Sequence, residues 1–402
     1  MTDTVIAHKD YDVRGGGERL AEELSRTFEA PLVVGRRDAA NEPDDLESKL
    51  EEIDYGPIPD RLAKRMIDRG GAARSIAYQL SWQQQDRLTE YETVITSGNE
   101  PMWYVPEDDQ TVVAYTHSTP RWQYDLFHDV DSSGLLGPLS VGYNYVSRVL
   151  YQHNVTRPDL FVANSDLVAR RIRQYWNIPE DQIKVVYPPV RTHEYAPDDA
   201  HTEGFYFHLG RLAEHKRVDD LIRTFNQLDS SHQLKIAGKG PDRKRLEKLA
   251  GDNIEFLGYV SESEKQRLMA AAKAHVYPAL NEDFGMVPVE SMAAGTPVIG
   301  VNEGFTQYQI MGGANGYTFE REGNDLWMTI RRFEREGVSW SEDRIAEFAE
   351  RFSVEQFRTG MREAVAEAEE RSRVTTPWER ETEPTTPEST PEPLRADGGA
   401  SE

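Results

Sequence analysis

Glu282 and Glu290 bracket seven residues in the second half of the chain, in Asn281-Glu282-Asp283-Phe284-Gly285-Met286-Val287-Pro288-Val289-Glu290. An apolar strand, Ala274-His275-Val276-Tyr277-Pro278, precedes them, and the small-residue stretch Ser291-Met292-Ala293-Ala294-Gly295-Thr296-Pro297 follows. The order reads as strand, loop with a carboxylate, helix with a carboxylate, glycine stop, strand. The N–H groups of such a loop and of the helix start face an anion, and a carboxylate about a turn into the helix can accept hydrogen bonds from ribose hydroxyls. Val287, Val289, Met292 and Ala293 give Glu290 apolar neighbours, so its carboxylate is expected to be buried or half-buried and to need a partner.

A second group lies in Gly210-Arg211-Leu212-Ala213-Glu214-His215-Lys216-Arg217, where a strand ends in glycine and Arg211 and Lys216 precede a helix. A guanidinium fork and a compact ammonium suit a diphosphate. If that diphosphate is a leaving group, cations beside it stabilise the transition state more than the ground state. Taken alone the two would read as a solvated surface pair; their company gives them chemistry. In the first half, Tyr115-Thr116-His117-Ser118-Thr119-Pro120-Arg121-Trp122-Gln123-Tyr124-Asp125 places His117 at a strand end, and Arg121 and Asp125 either serve a site or form an ion pair that orders the loop. Gly15-Gly16-Gly17-Glu18-Arg19 is a glycine-rich turn opening a helix.

These groups need strand ends to hold them, and the chain supplies strands alternating with helices. Thr4–His8, Leu32–Val34, Thr93–Thr96, Thr111–Tyr115 and Leu160–Ala163 read as strands of a first α/β unit. Phe205–Gly210, Leu234–Gly238 and Ile254–Leu257 read as strands of a second, with Val218, Leu221, Ile222 and Phe225 at helical spacing. Such alternation predicts parallel sheets covered on both faces. The expected division is a first domain over 1–190, a polar linker over 191–204 and a second domain over 205–347, then helices over about 348–372. An acidic, proline-rich tail over 375–402 is expected to be disordered.

The ordered set Arg211, Lys216, Gly238-Lys239-Gly240-Pro241, Glu282 and Glu290 resembles the nucleotide-binding domain of the retaining glycosyltransferases of family 4, over about 205–319. The His117 segment, Val162-Ala163-Asn164-Ser165, Val185-Val186-Tyr187-Pro188-Pro189-Val190 and the Gly15 segment are similar to a mannosyltransferase-like branch of it. The resemblance implies a GT-B fold, two Rossmann-like domains facing across a cleft, with the last helices crossing back onto the first. It implies catalytic roles for His117 and Glu282, with His117 facing the donor sugar. Arg211 and Lys216 would hold the diphosphate, Glu290 the ribose, and backbone N–H groups of Gly285, Met286 and Val287 would face phosphate or sugar. Gly16, Gly17 and Arg121 would lie on the acceptor side. The implied reaction is retaining transfer of a hexose, mannose first, from a nucleoside diphosphate sugar to a glycan or lipid-linked glycan, with no metal and no other cofactor. A nucleotide-sugar epimerase and a non-catalytic sugar-nucleotide or glycan-binding subunit are the rival readings. Tyr308 departs from the pattern, standing about where the family commonly has a carboxylate.

Composition narrows the classes further. The 402 residues carry a formal charge of −24 and no cysteine. Disulfides, thiolate metal sites and cysteine nucleophiles are excluded, and a nucleic-acid partner would call for the opposite charge. The charge reads either as that of an acidic enzyme whose tail carries much of it or as that of a protein from a cytoplasm rich in salt, which would screen the self-repulsion; the halophilic reading is the expected one. The chain shows no secretory start and no apolar run of membrane-spanning length, so a cytoplasmic location is expected, with the inner membrane face as an option. Arg61, Lys64, Arg65, Arg69 and Arg74 interleave with Leu62, Met66, Ile67, Ile76 and Leu80. They read either as an ordinary surface helix broken at Gly70-Gly71 or as a basic amphipathic face for peripheral contact with a membrane or a lipid-linked acceptor.

Overall fold

The computed structural model describes residues 3–46, 49–124, 137–197 and 203–374. The chain folds into two α/β domains, each around one fully parallel sheet. The first runs β1 (Thr4–Tyr11), α1 (Gly16–Phe28), β2 (Leu32–Arg37), β3 (Leu50–Glu52), α2 (Asp60–Arg69), α3 (Gly71–Trp82), β4 (Thr93–Ser97), β5 (Thr111–Thr116), α4 (Gly137–Asn154), β6 (Leu160–Ala163), α5 (Asp166–Trp176) and β7 (Ile183–Val185). Its strand order is β3-β2-β1-β4-β5-β6-β7. The second runs β8 (Phe205–Leu209), α6 (Val218–Phe225), β9 (Gln233–Ala237), α7 (Arg243–Glu247), β10 (Ile254–Gly258), α8 (Glu262–Ala271), β11 (Ala274–Tyr277), α9 (Met286–Ala293), β12 (Val298–Val301), α10 (Thr306–Gln309), β13 (Gly316–Phe319), α11 (Asp325–Glu336) and α12 (Glu342–Ala349). Its order is β10-β9-β8-β11-β12-β13. In both sheets the order reverses beside the first strand, between β1 and β4 and between β8 and β11. Loops leaving such a pair part in opposite directions and open a crevice at the strands' carboxyl ends.

The expected α/β architecture of two Rossmann-like domains holds. Strand periodicity explains both cores: Val5 and Ala7 point to the face covered by α2, α3 and α5, while Ile6, paired with Leu32 and Ile95, points to the other. That second face is covered by Leu20 and Leu24 of α1 and by Phe357, Met361 and Ala364 of α13 (Val354–Val374), so the last described helix completes the first domain. Arg358 fastens it to Glu23 of α1 at 2.6 Å. The crossing point is a short bridge in which Val190 N–H donates to Phe352 O and Val354 N–H to Val190 O. The sequence reading missed β3, a three-residue edge strand with two glutamates, a composition with little strand preference. Gly70-Gly71 breaks the helix as read. Arg61, Arg65 and Arg69 stand exposed, Lys64 pairs with Glu52, and Arg74 reaches the buried Asp10. Among the described residues no helix is long and apolar enough to cross a membrane. The expected tail over 375–402 and Asp125 lie outside the described residues.

Phe357 is buried with its ring 5.9 Å from that of Tyr115. Phe357→Ala should therefore cost about 3–5 kcal/mol, read as a lowered denaturation midpoint. Stability equal to the parent would show that α13 does not complete the first core.

Candidate functional site

The two crevices face each other. α1 starts at Gly16, where the turn after β1 ends, and α9 starts at Met286 after Gly285. The two helix starts meet: a Cβ on Gly16 would lie 3.0 Å from Met286 Sδ, so a side chain there would have to push the methionine aside. A Cβ on Gly17 would sit 3.8 Å from His117 Cε1, which brings the glycine turn and the histidine to one place. Arg121, at the end of the His117 loop, donates from Nη1 to the carbonyl of Asn281 at 3.3 Å, next to Glu282 in the chain.

The loop carrying Glu282 is clamped by the first domain. Asp283 forms an ion pair with Arg171 of α5, and its carbonyl accepts from Ser165 Oγ at 2.6 Å. Ser165 also caps α5 by accepting from Val168 N–H. Burial raises the Asp283 carboxyl, against the opposing pull of Arg171. A second link runs through α8: Arg19 of α1 bonds Glu262 at 2.6 Å, Glu262 pairs with Lys265 at 2.7 Å, and Lys265 meets Glu290 at 3.0 Å. Lys265 and Glu290 are both buried, so Glu290 has the partner its apolar neighbours call for. Burial alone would raise Glu262; Lys265 and Arg19 outweigh it and bring the carboxyl down to about 2.

On the second-domain side, Lys216 forms an ion pair with Glu282, and its ammonium lies 5.9 Å from the centre of the Tyr277 ring. Arg211 is exposed on the loop after β8. Gly238 explains the glycine of the Gly238-Lys239-Gly240 turn: a Cβ there would lie 1.9 Å from the carbonyl oxygen of Gly210, so the turns after β8 and β9 pack backbone to backbone. Tyr308 is exposed, its hydroxyl bonded by Arg170 Nη2 at 3.0 Å, so this departure from the pattern is spent on contact between the domains.

His117 is half-buried, and loss of hydration, with the nearby His8 and Lys9, pushes its pKa down to about 3. Its Nε2 lies 2.8 Å from Ser97 Oγ, which lies 3.0 Å from Nδ1 of the buried His8. Beneath the second crevice, His208 and His275 stack at 6.1 Å. Burial brings His208 to about 4 and His275 well below its usual value. Sequence reading found Glu282, Glu290, Lys216, His117 and the glycines. It missed Asp283, Arg171, Glu262, Lys265, His8 and Ser97 as parts of the site, because each acquires its role from a partner distant in the chain. Among the described residues no group of three His, Asp or Glu could hold a metal ion.

Three imidazoles held neutral make stability depend on pH. Their folded values lie below the unfolded one, so stability is unaffected above about 6.5 and falls as pH drops from there towards the folded values, where the loss is complete. Between pH 7 and pH 5, His117 and His208 should each withdraw about 2 kcal/mol, measured by denaturant unfolding at the two values. An unchanged unfolding free energy would contradict their burial as neutral rings.

Comparison with known proteins covers both domains. The family model described as Glycosyltransferase Family 4 matches residues 14–194, and that described as Glycosyl transferases group 1 matches 191–352. An uncharacterized glycosyltransferase of Methanocaldococcus jannaschii is 29% identical over 191 residues, 42% of this chain and 46% of that protein. The O-antigen chain mannosyltransferase of Salmonella typhimurium is 28% identical over 158 residues, 38% of this chain and 44% of that protein. A GDP-mannose-dependent alpha-(1-6)-phosphatidylinositol dimannoside mannosyltransferase of Mycobacterium tuberculosis is 36% identical over 134 residues, 32% of this chain and 29% of that protein. The match thus spans less than half the length of each of these relatives. Among solved structures, Anabaena HepE in complex with UDP superposes with a TM-score of 0.67 at 17% identity, over 90% of this chain and all of that one.

Proposed function

The chain belongs to the family-4-like glycosyltransferases of GT-B architecture, its two halves matched in turn by the models above, and we propose that it moves a hexose, mannose first, from a nucleoside diphosphate sugar to a glycan or lipid-linked glycan with retention at the anomeric carbon. The observation that carries this reading is the contact of the His117 loop, through Arg121, with Asn281 beside Glu282. It sets a neutral imidazole against a carboxylate–ammonium pair across one cleft. Mannose is favoured by the Salmonella and Mycobacterium relatives, both mannosyltransferases; HepE was crystallised with UDP and glucose, and the donor panel below distinguishes the bases.

On this reading Glu290, oriented by Lys265, takes the ribose hydroxyls, and the start of α9 faces the phosphates. Lys216 and Glu282 neutralise each other as they stand. When the donor binds, the ammonium turns to the diphosphate and the carboxylate to the sugar hydroxyls. The bond from C1 to the diphosphate breaks with its electron pair going to phosphate oxygen, where Arg211 and Lys216 balance the growing charge. The acceptor oxygen bonds to C1 on the same face, and its proton leaves with the phosphate. Closure of the domains keeps water from C1. Cations of the chain answer the leaving group's charge, so we propose that no metal is required, and chelator should leave the rate unchanged. The reaction would run in the cytoplasm, at the inner membrane face where the acceptor is lipid-linked.

The test is a donor panel in molar potassium chloride, with release of nucleoside diphosphate followed for GDP-mannose, UDP-glucose, UDP-N-acetylglucosamine and their relatives. One donor should be turned over, and Lys216→Ala should lower kcat/KM by roughly 10²-fold, about 3 kcal/mol. Glu290→Ala should chiefly weaken donor binding. Stabilisation by a donor without release, with sugar acceptors supplied, would favour the binding-subunit reading; interconversion of the donor sugar would favour the epimerase.

We further propose that the protein is built for concentrated salt, on the strength of its charge of −24. Thermal unfolding should move to lower temperature as potassium chloride falls from molar to tens of millimolar, where the screening length grows from about 3 Å to more than 10 Å. A transition indifferent to salt would refute this.

A further inference from the structure

Ser97 ends β4 and lies between two imidazoles, with Oγ 3.0 Å from His8 Nδ1 and 2.8 Å from His117 Nε2. A hydroxyl has one proton to donate. With both rings neutral, the state in which the tautomer is defined, Ser97 donates to one and accepts from the other, and the two tautomers are coupled. Either His8 carries its proton on Nε2 and His117 on Nε2, or both carry it on Nδ1. The choice falls to the far side of His8. Its Nε2 is fully buried with no hydrogen bond, 3.8 Å from Glu18 Oε1. Glu18 accepts from Gly15 N–H at 2.9 Å, and its Oε1 lies 3.5 Å from Lys9 Nζ. Burial would raise the Glu18 carboxyl, but His8 and Lys9 outweigh it and bring it to about 2, so it is anionic at neutral pH. A buried carboxylate favours an N–H pointed at it over a lone pair.

We propose that Glu18, His8 and Ser97 form a positioning chain that fixes His117 as the Nε2–H tautomer, leaving Nδ1 as a hydrogen-bond acceptor for a donor-sugar hydroxyl. The chain starts in the glycine-rich turn, runs through the middle of β1 and the end of β4, and ends at the ring after β5. Glu18 opens α1 and Gly17 lies beside the His117 ring, so the turn that shapes the acceptor side also sets the proton on the donor side. An imidazole with depressed basicity and a fixed lone pair can orient a hydroxyl without carrying a charge of its own beside the cation formed at C1. The tautomer stands on this geometry with Glu18 anionic and His8 neutral; its use on the donor rests on the function proposed above.

The tautomer is read on the full chain, labelled with ¹⁵N-histidine, from long-range ¹H–¹⁵N correlations at neutral pH in molar salt. The parent and Ser97→Thr should show His117 protonated at Nε2 and bare at Nδ1. Ser97→Ala and Glu18→Gln should lose that preference, while unchanged His208 and His275 signals certify the fold. A parent protonated at Nδ1, or variants with an unaltered His117 pattern, would overturn the positioning chain whatever the enzyme's donor. With the donor found by the panel, Ser97→Ala should lower kcat by about 10- to 100-fold with KM little changed, and Ser97→Thr should restore most of it. A fixed tautomer whose loss leaves kcat untouched would overturn the role on the sugar and leave the tautomer assignment standing.

Discussion

One buried ion pair, Asp283 with Arg171, is the constraint on which the cleft depends. Asp283 belongs to the loop between β11 and α9, and Arg171 to the helix that follows β6 in the other domain. Both are largely out of water. Such a pair contributes little net stability, because desolvation of the charges offsets most of their attraction. Breaking it on one side is costly, since the remaining charge stays buried. The consequence is geometric: opening the domains must rehydrate both groups, so this contact discriminates sharply between closed and open. Glu282 precedes Asp283 in the chain, and Arg121 holds the residue before that. The residues proposed to act on the donor are therefore placed by the same loop that senses closure.

The architecture was legible because doubly wound α/β order is written in short apolar strands separated by helices, and because topology then places functional loops without further instruction. Glu290 was legible for a related reason: apolar neighbours around a carboxylate demand a partner. The identity of that partner was not. Lys265 lies in a run of charged residues at the start of α8 that reads as solvated surface, and only the packing of α8 against α9 turns it inward. Arg171 is hidden in the same way among Arg170 and Arg173, 112 residues from Asp283. Ser97 and His8 look like ordinary strand-end residues, and their parallel neighbours β1 and β4 are 89 positions apart where the two side chains meet. Local pattern fixes which element a residue occupies; contacts between elements decide what a polar side chain does there.

Lys265 also shows how a binding carboxylate can be coupled to domain arrangement. Arg19, Glu262, Lys265 and Glu290 alternate in sign from the first domain to the candidate ribose site. Arg19 and Glu262 are part-exposed, so their pair is screened and weak, about 0–1 kcal/mol. The inner pair is buried and cannot be separated cheaply. The chain is thus stiff at the nucleotide end and soft at the domain boundary, the arrangement needed if the second domain is to keep its site intact while the first moves.

The two sides of the cleft use different electrostatics. The second domain presents full charges, Lys216 with Glu282 and Lys265 with Glu290, where a diphosphate carries most of the donor's charge on the proposed reading. The first presents a half-buried imidazole held neutral, reached through a hydroxyl from a second imidazole, with its one carboxylate set behind them. A protonated ring there would oppose positive charge growing at C1, and a bare carboxylate would compete with the acceptor for it. A neutral acceptor backed by a remote anion avoids both, and loss of hydration keeps it neutral well below the usual imidazole range. On the proposed reading, burial of His117 then serves the chemistry as well as resulting from the fold, and the clamp at Asp283 holds the facing loop beside it.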